Sequence, residues 1–181
     1  LLAAARAGMG AGLQLLGRLG AVDGSAAGYP KDNVLGASLS LVRELISLNA
    51  GMSVFHVPWG SFDTHTGHVY SHSEQMKVLG SALGAFRADL AKHGLTDRVL
   101  LATTSEFGRR PEANAGGTDH GTASTMLLMG PVRPGRHGSP VDFAALDRDG
   151  NPKATVSMSD YYATLATWLG LPAKQVLPAG G

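Results

Sequence analysis

Two polar clusters in this 181-residue chain have the composition of metal-binding loops. The first, SFDTHTGH, carries Asp63, His65 and His68. The second, SEFGRRPEANAGGTDHG, carries Glu106, Arg109, Arg110, Asn114, Asp119 and His120. Carboxylate oxygens and imidazole nitrogens are the usual ligands of zinc, manganese and iron(II). Asp63 and His65 alternate with Thr64, so an extended backbone points both the same way. A His–carboxylate pair in each cluster marks a candidate site for a divalent cation. Arg109 has the fork to grip an anionic oxygen, or equally to anchor its loop on a carboxylate. Ser105 lacks the G-x-S-x-G surroundings of an esterase elbow and is set aside as a nucleophile.

Apolar runs must position these clusters. Met52–Val57 reads as a short buried strand stopped by Pro58–Gly60, immediately before the first cluster. Val99–Thr104 suits a central parallel strand and empties into the second. Thr125–Met129 is a third apolar run. A helix capped by Asp32 or Asn33 carries Val34, Leu35, Leu39, Val42, Leu45, Ile46 and Leu48 at helical spacing. A second, over residues 73–93, is opened by Ser71 with Glu74 at capping-box spacing and closed by Gly94. Its apolar face is Met76, Leu79, Leu83, Phe86 and Leu90, with Lys77, Arg87 and Asp89 elsewhere. Ser159 caps a last helix through Leu169. Residues 2–19 read as a helix of small residues. This alternation predicts one α/β unit over residues 1–181, with Met52–Val57 and Val99–Thr104 parallel in one sheet.

The pieces FDTHTGH, TSEFGRRPEANAGGTDHG and SDYYATLATWLG resemble the bacterial family known as domain of unknown function 1501, within the alkaline-phosphatase-like superfamily. The likeness runs over residues 28–177. It implies a three-layer α/β fold with a mostly parallel sheet, of which this chain is the C-terminal portion, its first strands and its nucleophile lying upstream of Leu1. It also implies a first metal site of Asp63, His65 and His120, holding zinc or manganese. Glu106 belongs, on that likeness, to a second adjacent site, but Phe107 stands where the superfamily has a histidine. A phenyl ring cannot ligate, so the second site is weak, completed by Asp119, or absent. The implied chemistry is hydrolysis of a phosphate or sulfate ester, small or polymeric. A binding protein that retains the fold is the alternative. Export to the periplasm or beyond is implied by the family alone.

Composition narrows the classes. Apolar residues are 44% and charged residues 16%, enough for a core and too ordered a balance for wholesale disorder. Fifteen Lys and Arg against fourteen Asp and Glu give no basic field for nucleic acid. The chain has no cysteine, which excludes disulfides and thiolate ligands. No apolar run approaches the roughly 18 residues of a membrane span. Truncation further predicts that the chain alone is poorly soluble and hydrolyses no ester.

Overall fold

The computed structural model describes residues 28–114 and 116–173. The helix read over residues 2–19 lies outside them. The described elements are three α-helices and two short antiparallel strand pairs, with one 3-10 turn at Thr96–Arg98. The expected three-layer fold with a mostly parallel sheet is therefore corrected. Met52–Val57 forms no strand, and Met52 and Val54 are 46% and 68% exposed. Within Val99–Thr104 only β1 (Leu101–Ala102) pairs, and its partner is β4 (Leu128–Met129), antiparallel. An apolar run shows that a segment tolerates burial; the ladder depends on which backbone lies alongside, and here that is the third apolar run.

Two compact units are distinguishable, residues 28–62 with 70–99 and residues 63–69 with 100–173. In the first, α1 (Val34–Ser47) and most of α2 (His68–Lys92) form the core. Asn33 caps α1, its side chain accepting from Gly36 N at 2.9 Å. Leu35 and Leu39 of α1, Ala82, Phe86 and Leu90 of α2, and Tyr29 and Leu95 are buried together with it. Gly94 follows α2 at φ +65°, the left-handed end its sequence calls for.

The buried face of α2 also contains Asp89, against expectation, and its side chain is fully enclosed. Arg43 Nε donates to Asp89 Oδ2 at 2.8 Å and Tyr29 OH donates to the same oxygen at 3.2 Å. His93 Nδ1 lies 3.1 Å from Oδ1. Burial, reinforced by the Asp89 charge, pushes the Tyr29 phenol above its ordinary range. Both hydrogen bonds therefore fall on Oδ2, from Tyr29 and Arg43, while the enclosed Oδ1 takes none.

In the second unit, β2 (Gly108–Asn114) and β3 (Gly117–Gly121) form an antiparallel ribbon turned at Gly116, φ +111°. The register places Arg109 opposite His120 and Ala113 opposite Thr118, with a bulge between them that contains Pro111. α3 (Met158–Trp168) is capped by Ser157, not Ser159: Ser157 Oγ accepts from Asp160 N at 3.0 Å. Tyr161 OH donates to the Thr103 carbonyl at 2.8 Å, tying α3 to the end of β1.

Candidate metal centre

The ribbon and the loop 63–69 carry the site. β3 presents Asp119 and His120 on alternate faces, as any strand must. The loop is fixed beside it by backbone contact: His68 N donates to Gly116 O at 2.9 Å. A Cβ on Gly117 would stand 2.6 Å from the His65 carbonyl carbon and oxygen, so only glycine allows this approach. Thr64 Oγ1 pairs with His68 Nδ1, and α2 consequently starts at His68 rather than after Ser71.

Asp63, His65 and His120 offer ligand atoms that all lie within 4.8 Å of one another. His120 Nε2 donates to Asp63 Oδ1 at 2.6 Å, and His65 Nε2 lies 3.0 Å from the same oxygen. The two rings are 5.1 Å apart. The hydrogen bond from His120 holds the exposed Asp63 carboxyl below the usual carboxylate range, helped by the two imidazoles against opposing desolvation. Asp63 is thus an anion at neutral pH. Around a tetrahedral zinc at about 2.0–2.1 Å, ligand atoms stand about 3.3–3.4 Å apart. To admit it, the two Nε2 atoms must draw back from Asp63 Oδ1 by roughly 0.3–0.8 Å, within reach of exposed side chains. The donor set fits a divalent cation.

Other sequence candidates fall at different distances. Asp119 is outside the converging trio; its Oδ1 lies 3.7 Å from His65 Nδ1, the ring nitrogen turned away from Asp63. Asn114 Nδ2 donates to that Asp119 oxygen at 2.5 Å. Glu106 is exposed on the bend between β1 and β2 and does not join the trio. Arg109 Nη2 stands 3.8 Å from Asp63 Oδ1, while Nη1 donates to the Thr118 carbonyl.

Sequence reasoning missed the work of Phe107 and Asn114. The Phe107 ring lies flat on His120, centroids 3.9 Å apart and planes 4° from parallel, and Arg109 Cζ stands 5.1 Å from the Phe107 centroid. A glycine-rich turn, AGG, between two short polar runs was the available signal for the ribbon that brings them together. Partners behind a ligating histidine orient its ring and commonly account for 10–100-fold in metal affinity. Asp119→Asn is therefore expected to weaken cation binding by about tenfold, the lower end of that range given the 3.7 Å separation. Unchanged affinity in a competition titration would remove Asp119 from the site.

The family model described as Protein of unknown function (DUF1501) matches residues 29–181. No curated protein and no solved structure matches the chain.

Proposed function

This chain belongs to the DUF1501 family, and from that premise we propose that it is a metal-dependent hydrolase of phosphate or sulfate esters. The observation that carries the reading is the convergence of one carboxylate and two imidazoles, Asp63, His65 and His120, within 4.8 Å. Zinc and manganese both accept that donor set. A bound cation supplies Lewis acidity toward an ester oxygen. Asp63 holds it as an ionised carboxylate, and the two Nε2 atoms complete the grip. Asp119 steadies the His65 ring from its far nitrogen. Arg109, fixed by the Thr118 carbonyl and the Phe107 ring, orients an anionic oxygen of the substrate.

Kinship with the alkaline-phosphatase-like superfamily is supported by the order of the residues, Asp63 and His65 ahead of Glu106 and His120, and not by the architecture. The same likeness supports a periplasmic or extracellular location. Among the described residues no helix is long and apolar enough to cross a membrane. The substrate is a small or polymeric ester.

One observation favours a second reading, a binding protein that holds a single cation without turnover. Phe107 fills the space against His120 with a ring that cannot ligate. Metal analysis of the full-length protein, followed by aryl phosphate and aryl sulfate assays, separates the two. Stoichiometric cation with metal-dependent turnover is expected. Cation without turnover selects the binding protein, and no cation binding overturns both.

A further inference from the structure

α1 is apolar on the side turned away from its core as well as on the side that faces it. Leu35, Gly36, Leu39 and Ser40 are buried. At about 100° per residue, Val34, Ser38, Leu41, Leu45 and Leu48 fall on the opposite side, in steps of four and three. Val34 and Leu41 are 76% and 42% exposed, and Leu45 and Leu48 are half-buried. No charged side chain falls within this stripe: Arg43 turns to Asp89, and Glu44, at the margin, pairs with Arg43. A helix that is apolar all round belongs in an interior, so the stripe calls for a cover.

Residues 2–19, outside the described residues, carry a matching pattern. Leu2, Ala5, Met9, Gly12 and Leu16 recur in steps of three and four, and on a helix Gln14 and Arg18 fall away from them. Both stripes run about 21 Å, and steps of three and four on both sides suit helices packed at a shallow angle. The connection sets the direction. Tyr29 is buried beside the first turn of α1, where a Cβ on Gly36 would stand 3.5 Å from its ring. Residues 20–28 therefore join Leu19 to that end of α1, and fully extended they reach about 30 Å. Asp23-Gly24 among them favours a turn over full extension. An antiparallel return needs little of that reach, whereas a parallel one needs most of it. A second copy is a poorer cover. The stripe has a footprint of about 250 Å², short even when doubled of the about 800 Å² each partner gives to a specific complex. A segment of the same chain needs no such area, because its effective concentration is already high.

We propose that residues 2–19 pack as a helix laid antiparallel along the outward stripe of α1, with Leu16 beside Val34, Met9 beside Leu41 and Leu2 beside Leu48. Gly12 then faces Ser38, two small residues at one level, and the helices draw closest there. α1 becomes the middle helix of three, which accounts for its two apolar sides.

The test uses the full-length protein. The chain has no cysteine, so single introduced thiols report on their own positions, each read at its peptide by mass spectrometry. Leu41→Cys is expected to react with a maleimide at least about tenfold more slowly than Ser47→Cys, an exposed position on the same helix, because labelling then waits on local opening. Met9→Asp sets a charge against the stripe and should bring the two rates together, with hydrogen-exchange protection of α2 unchanged. Leu16→Cys with Val34→Cys should be bridged within one chain by a short bismaleimide. Leu16→Cys with Leu48→Cys, about 21 Å further along, should not. Leu41→Cys labelling as fast as Ser47→Cys overturns the proposal, and so does slow labelling that Met9→Asp leaves untouched. Bridges between chains, or labelling that slows as protein concentration rises, assign the stripe to a second copy and overturn it too. A bridge from Leu16→Cys to Leu48→Cys overturns the antiparallel direction.

Discussion

Arg43→Ala is expected to destabilise the protein by about 3–5 kcal/mol, the cost of stranding an enclosed charge rather than of losing a contact. Asp89 has no exposed side-chain surface, and among the described residues Arg43 is its only fully charged partner. Were this a surface pair, removal would cost about 0–1 kcal/mol. The Tyr29 hydroxyl and the His93 ring remain beside Asp89 in the variant, and neither brings a permanent positive charge. Urea unfolding with an unchanged m-value is the measurement, and a loss below about 1 kcal/mol would show that water reaches Asp89. Replacing both partners, Arg43→Met with Asp89→Leu, should recover most of the loss, because an apolar pair carries no desolvation penalty.

His120→Ala is expected to weaken cation binding by at least about 100-fold, beyond the 10–100-fold range of residues that only support a ligand. His120 is both a ligand candidate and the ring that Phe107 covers, so its loss empties one side of the trio. Asp63 and His65 alone leave too few protein ligands for a closed or catalytic zinc site, which has three or four. Chelator competition on the full-length protein checks this. An affinity within about tenfold of the parent would place the cation elsewhere.

The caps of the helices could be read from sequence because their determinants are local. Asn33 caps α1 and Gly94 ends α2 through backbone geometry that a few residues decide. Asp63 and His65 lie close along the chain, but their meeting with His120 was implied by the family resemblance and not by any local signal. The strands were not readable in the same way. Leu101 pairs with Met129 across a long intervening segment, and nothing in either run specifies the partner or its direction. The start of α2 was misplaced because Thr64 and Gly116 position His68, neither being part of the helix. Asp89 was assigned to the polar face for a related reason. Its burial depends on Arg43 and Tyr29, far away in sequence, and helical periodicity cannot register them. At α3, Ser157 and Ser159 both suit a cap, and only Ser157 has Asp160 at the reciprocal position, its Oγ donating to Asp160 Oδ2 at 2.8 Å.

The bulge in the β2–β3 ribbon has a consequence for behaviour at high concentration. A two-stranded ribbon leaves an outer edge on each strand, and an outer edge invites a neighbouring molecule to add a strand of its own. Along β2 such an addition meets Pro111, which offers no N–H, in a stretch where three residues oppose one and the even spacing of donors is lost. Arg110 and Glu112 flank it, and their like counterparts in a second copy would repel any in-register stacking. Along β3 the strand is five residues long and begins and ends in glycine, with the 63–69 loop lying against its first residue. An exposed ribbon is thus a poor template for intermolecular sheet growth.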